Sequence, residues 1–183
     1  MATAPINEQD GDELTSHSRE TLFDDALPRI YGYILVRVGG DHAIAEDLTQ
    51  ETMLALASAL AGVHPRIVDP IAWLVGTARF KVIDHYRNAE RTDRTDAGWS
   101  GAIDEVPAEI DDFDRIADRD ELMTALETLP PGQRIALLLH YADSLSIDEI
   151  AKALGKSQSA VESLLARGRR TLRKHLTDQE SNR

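Results

Sequence analysis

Apolar residues recur along this chain at intervals of three and four rather than two, and Ala and Leu outweigh Val, Ile and Thr, which predicts helices throughout. The expected fold class is therefore all-α. Phe23, Leu27, Ile30, Ile34 and Val38 share one stripe that stops at Gly39-Gly40, with Pro28 expected to kink or restart the helix. Asp41 suits the N-cap of a second helix, whose buried stripe is read as Ile44, Leu48, Thr52, Ala55 and Ala59. Residues 61–69 read as a loop. Pro70 then suits the first position of a third helix that buries Ile71, Val75, Ala78, Val82 and Tyr86. Three such helices can share one core.

From Thr92 to Asp118 the periodicity fades, Gly98, Gly101 and Pro107 appear and acidic residues dominate, as in a flexible linker. Periodicity resumes with Leu122, Leu126 and Leu129, breaks at Pro130-Pro131-Gly132 and continues with Ile135, Leu138 and Leu139. Ser146 and Glu149 form a capping-box pair that opens a short helix to Leu154, Gly155 ends it, and Ser157 caps a last helix reaching about Leu176. The expected organisation is two small helical domains on an acidic tether. Its boundaries are a disordered tail (1–18), a first domain (19–95), the linker (96–118), a second domain (119–176) and a C-terminal tail (177–183).

The 183 residues are 42% hydrophobic and 28% charged, enough to fold around a core. The absence of cysteine excludes a disulfide scaffold, a thiolate zinc site and a cysteine nucleophile. Six histidines (His17, His42, His64, His85, His140 and His175) are scattered without the spacing of a metal site or acid–base pair, so no enzyme, metal or cofactor is expected. No apolar run approaches eighteen residues and the acidic start lacks the blocks of a signal peptide, which places the expected location in the cytoplasm without membrane insertion. The net charge of −12 hides an asymmetry: residues 151–176 carry +6, whereas residues 96–118 carry −7.

That basic segment is the last helix of a helix-turn-helix, in which the second helix enters the DNA major groove. At about 100° per residue, Val161, Leu165, Gly168 and Leu172 point inward. Ser159, Ser163, Ala166, Arg170 and Arg173 point outward, flanked by Arg167, Arg169 and Lys174 for phosphate contacts. A basic helix end favoured by the macrodipole is the plainer alternative. The second helix turns Glu46, Asp47 and Gln50 away from its buried stripe, a face that is either solvated or offered to a basic protein partner. On the third helix, Trp73, Phe80, Asp84, Arg87 and Arg91 oppose the aliphatic stripe, with Arg79 and Lys81 beside them. Aromatics among cations suit unstacked single-stranded bases, or else Trp73 and Phe80 pack on another helix.

The run from Asp41 to Thr52, with Ala45-Glu46-Asp47-Leu48-Thr49-Gln50-Glu51-Thr52, resembles the polymerase-binding signature of extracytoplasmic-function (ECF) sigma factors of the sigma-70 family. Trp73-Leu74, Ala78-Arg79 and Asp84-His85-Tyr86-Arg87 resemble their segment that melts and reads the minus-10 promoter element. Leu129-Pro130, Glu149-Ile150-Ala151, Leu154-Gly155, Ser157, Val161-Glu162-Ser163 and Arg167 resemble their minus-35 helix-turn-helix. The resemblance covers about residues 20–95 and 119–176. It implies a promoter-specificity subunit without chemistry of its own, whose partners are bacterial core RNA polymerase, promoter DNA and an anti-sigma factor. It also implies site roles. Glu46, Asp47, Gln50 and Glu51 would contact polymerase; His64 and Arg66 in the loop, with Trp73, Arg79, Phe80, Lys81 and Arg87, would take the minus-10 strand. Ser157, Ser159, Glu162, Ser163, Arg167, Arg170 and Arg173 would meet the minus-35 duplex. Phe80, Glu162 and Leu164 depart from the family pattern, so promoter sequence does not carry over. The rival reading is a helix-turn-helix regulator acting on duplex DNA without being a polymerase subunit.

Overall fold

A computed structural model describes residues 10–61, 67–93 and 119–180, and all its regular elements there are helical. The first domain consists of α1 (Asp10–Val38), α2 (His42–Ala61) and α3 (Pro70–Asp93). The second consists of α4 (Arg119–Glu127), α5 (Pro131–Leu137) running into a π-helical turn (Leu138–Ala142), then α6 (Ile147–Leu154) and α7 (Gln158–Glu180). Helix α1 starts inside the stretch expected as an N-terminal tail, and α7 extends past the expected limit at 176. Helix α1 also runs through Pro28 without interruption, so of the expected kink or restart the restart does not occur. Pro28 is exposed, so the single hydrogen bond it forfeits falls on the solvent side. The acidic linker, residues 96–118, lies outside the described residues.

The predicted punctuation is realised in hydrogen bonds. The Ile44 amide donates to Asp41 Oδ1 at 3.1 Å, and the Ala72 amide to Asp69 Oδ1 at 2.9 Å just before Pro70. Gly39 and Gly40 both adopt positive φ (76° and 78°) where α1 turns into α2.

Ala26, Ile30 and Ile34 of α1 meet Ala45, Leu48 and Leu56 of α2 and Leu74, Ala78, Val82, Ile83 and Tyr86 of α3. The buried face of α2 is thus rotated from the expected stripe: Ala45, Thr49 and Leu56 are inside, whereas Ile44, Ala55 and Ala59 are only partly covered. Two threonines are tolerated there because their hydroxyls donate to carbonyls one turn back, Thr49 to Ala45 at 2.6 Å and Thr52 to Leu48 at 2.7 Å. Leu27, expected inside, is half exposed, and Arg37 takes the buried position at the end of the α1 stripe.

The second domain buries Leu126, Leu129, Ile135, Leu137, Leu139, Ile150, Leu154, Val161, Leu165 and Leu172. The two cores are continuous, because α1 and α3 pack on α4, α5 and α6.

Candidate polymerase and promoter surfaces

The acidic face of α2 is open. Glu46, Asp47, Gln50 and Glu51 are all exposed, and Leu54 extends the same face at 68% exposure. Leu54 escaped the sequence reading because an isolated leucine within an Ala/Leu-rich helix is assumed to be core. Its position one turn after Gln50 was the available signal. Glu51 is engaged by its neighbour: Lys81 Nζ of α3 lies 2.7 Å from Glu51 Oε2.

That pairing changes the character of α3. Lys81, expected to face DNA, spends its charge on α2. Trp73 is partly buried against the core, so the packing alternative describes it. Phe80 is 71% exposed, as expected of a stacking residue. Arg79 and Arg87 are half-buried. Arg79 and Phe80 line a cleft of about 460 Å³ together with Asp143, Ser144, Leu145 and Glu149 of the second domain. Thus α3 brings together Arg79, Phe80 and Arg87, while Trp73 serves the core. His64 and Arg66 lie outside the described residues.

The helix-turn-helix is built as its caps require. The Glu149 amide donates to Ser146 Oγ at 3.3 Å and the Ser146 amide to Glu149 Oε2 at 2.9 Å, closing the capping box. The Ser146 hydroxyl and amide hold the Glu149 carboxyl below the usual carboxylate range. Gly155 ends α6 in the left-handed conformation (φ 65°), and the Lys156 amide donates to Ala151 O at 2.9 Å. The Ala160 amide donates to Ser157 Oγ at 3.2 Å, starting α7. Gln158 Nε2 donates to Asp148 Oδ1 at 3.1 Å, fastening the start of α7 to α6. Asp148 is held below its ordinary range, first by Lys152 and then by Gln158.

Val161, Leu164, Leu165, Gly168 and Leu172 are the buried face of α7. Leu164, absent from the expected inward set, therefore belongs to the core. Gly168 is required by close approach: a Cβ there would lie 2.8 Å from Leu137 Cδ1. On the opposite side Ser159, Glu162, Arg170 and Arg173 are exposed. Ser163 is half-buried and accepts from Arg167 Nη2 at 2.9 Å, while Arg167 Nε donates to Ser163 O at 3.1 Å. These two expected contacts are thus turned partly onto each other. Ser157 doubles as the helix cap, and Arg169 Nη1 donates to the Tyr141 hydroxyl at 3.2 Å.

Among the described residues no group of three or more His, Cys, Asp or Glu side chains is arranged to hold a metal ion. No helix among them is long and apolar enough to cross a membrane.

Comparison with known proteins matches this geometry in two places. Residues 22–92 match the model of sigma-70 region 2, and residues 119–172 match that of sigma-70 region 4. The ECF RNA polymerase sigma factor BldN of Streptomyces coelicolor is 33% identical over 86% of this chain and 60% of its own length. The ECF RNA polymerase sigma factor SigK of Mycolicibacterium vanbaalenii is 26% identical over 85% of this chain and 80% of its own length. Among solved structures, the sigma factor RpoE of Bartonella quintana in complex with the anti-sigma factor NepR is 22% identical, covering 87% of this chain and 97% of that one, with a TM-score of 0.49. The chain spans about three-fifths of the length of BldN and four-fifths of SigK. With the region 2 match spanning α2 and most of α1 and α3, and the region 4 match spanning α4 to α6 and the first two-thirds of α7, the chain belongs to the sigma-70 family, in its ECF group of sigma factors.

Proposed function

We propose that this protein is a promoter-specificity subunit of bacterial RNA polymerase. Its α2 face (Glu46, Asp47, Gln50, Glu51) docks on core polymerase, with Leu54 as an apolar contact at the end of the charged cluster. The α3 face (Arg79, Phe80, Arg87), with His64 and Arg66 from the preceding loop, takes unstacked minus-10 bases. The outer face of α7 (Ser159, Glu162, Arg170, Arg173) reads the minus-35 duplex. The protein acts in the cytoplasm, catalyses no reaction, needs no cofactor and is restrained by an anti-sigma factor.

One observation carries this reading. A single chain exposes an acidic face extended by an apolar residue on α2 and a cationic face on the second helix of a helix-turn-helix. The acidic face repels phosphates, so it serves a protein; the cationic face serves nucleic acid. A duplex-only regulator has use for the second and none for the first.

The test is reconstitution with bacterial core polymerase and selection from a promoter library randomised around minus 10 and minus 35. The reading expects transcripts that depend on this protein and share a two-part motif. Sequence-specific duplex binding without any association with core polymerase would assign the protein to the regulator class instead.

A further inference from the structure

In a helix-turn-helix the N-terminal residues of the second helix meet base edges, while contacts to phosphate set its register on the duplex. The first two turns of α7 carry Ser159, Glu162 and Ser163 beyond the Ser157 cap, and Glu162 is the one charged side chain in them. Its placement is fixed from below. Val161 beside it is fully buried, and Leu164 and Leu165 follow into the core. The start of the helix is held by the Ala160 amide on Ser157 Oγ and by Gln158 Nε2 on Asp148 Oδ1.

Glu162 is exposed, and among the described residues its carboxylate accepts no hydrogen bond and joins no ion pair. The residues three and four positions away on the helix are Gln158, Ser159, Leu165 and Ala166, none of them cationic. The cations that flank the tip in sequence are engaged elsewhere: Lys156 Nζ lies 2.7 Å from Glu90 Oε1, Arg167 donates to Ser163, and Arg169 donates to Tyr141. The exposed Arg170 and Arg173 stand about 12 and 17 Å further along the helix axis, beyond the screening length of about 8 Å at physiological salt. The tip of α7 is thus anionic and its later turns are cationic.

A carboxylate at that place is repelled by the phosphates of every sequence alike, and a donor on a base edge is what offsets the repulsion. In the major groove guanine presents N7 and O6 and thymine presents O4, all acceptors, so the available donors are cytosine N4 and adenine N6. Adenine sets its acceptor N7 beside N6, against the second carboxylate oxygen, whereas cytosine has a C–H next to its amino group. Cytosine is the base that an accepting side chain fits. We propose that Glu162 is a specificity-determining residue of α7, selecting cytosine at one position of the minus-35 duplex by accepting a hydrogen bond from its N4 amino group. The proposal rests on the reading of α7 as the duplex-reading helix. It divides the work along that helix: the tip chooses the base, and Arg170 and Arg173 supply the phosphate attraction that offsets the charge of the tip.

The test is selection from a randomised duplex library by the full chain, free and with bacterial core polymerase, for the unmodified sequence, Glu162→Gln and Glu162→Ala. Both substitutions fall on an exposed position, and circular dichroism checks that helicity is kept. The unmodified chain is expected to prefer cytosine over the other bases at one position by about 5- to 150-fold, the range of a well-aligned base contact. Glu162→Gln should move that preference to adenine, because an amide pairs with N6 and N7 together, and Glu162→Ala should erase it, with every other position unchanged. A gain in affinity spread evenly over all duplexes, with no single position altered, would make Glu162 a solvated repulsive charge; it overturns the proposal and leaves the duplex reading of α7 intact. An unmodified chain without sequence preference, both free and with polymerase, defeats that reading and the proposal with it.

Discussion

Helices α3 and α7 both carry clustered cations, and the structure treats them differently. On α3, Lys81 pairs with Glu51 of α2, and Arg79 and Arg87 are half-buried beside the second domain. On α7, Arg170, Arg173 and Lys174 stand exposed. The same compositional signal therefore yields one helix on which Lys81 is paired and Arg79 and Arg87 are half-buried, and one whose outer cations are open to phosphates. For α3 the affinity left for nucleic acid rests more on Phe80 and on shape; for α7 it rests on counterion release.

The sharpest way to break this contrast is to remove the free cations. Arg170→Ala with Arg173→Ala should weaken binding to all duplexes and lower the salt-dependence slope by about 1.8, as expected for two lost phosphate contacts. Fluorescence anisotropy across a salt series measures it, and an unchanged slope would mean that α7 does not face phosphate. Next comes the packing that holds those cations outward. Gly168→Ala, despite its better helix propensity, should destabilise the second domain by about 1–3 kcal/mol because the methyl group meets Leu137. Thermal denaturation followed by circular dichroism checks it.

A smaller effect is expected at the capping box. Ser146→Ala removes two of the three bonds between Ser146 and Glu149, leaving the Ser146 amide bond to Oε2, and should cost about 1 kcal/mol at neutral pH. The Glu149 carboxyl is depressed in the folded state, so its contribution is complete above the ordinary glutamate value of about 4.3 and is lost as pH falls through the lowered folded value. The stability difference between the two proteins should therefore shrink on acidification, and a constant difference down to the acid transition would refute this cause. The smallest effect belongs to Lys81. Because Glu51 offsets its charge, Lys81→Ala should reduce single-strand affinity less than either single arginine substitution on α7 reduces duplex affinity. A larger loss would show that the Lys81–Glu51 pair opens toward DNA.

Much of the second domain was legible because its signals are local. Ser146 with Glu149, Gly155 and Ser157 act within four residues of themselves, and each cap forms as read. The inward set of α7 follows from its period, and Gly168 from the need for close approach. What escaped was set by distant partners. Arg37 drew no reading from the sequence, yet it is buried against an aspartate 106 residues away. The π-helical turn that precedes Asp143, and the positive φ of Ser144 after it, leave no pattern in the sequence. The face of α2 was rotated because Ala and Thr serve equally inside or at the edge, so small residues set no register. On α3, exposure separates Phe80 from Trp73, which periodicity had placed together.

The claim that organises all of this is that α2 is a docking face for polymerase, and it is tested most directly by co-elution of the purified protein with bacterial core RNA polymerase. Asp47→Lys and Gln50→Lys reverse the character of an exposed face without touching Ala45, Leu48, Thr49, Thr52 or Leu56 beneath it. The unmodified chain should co-elute in a stable complex, and the double variant should lose that complex while keeping its helicity. Undiminished co-elution of the double variant, or no association of the unmodified chain, would contradict the account.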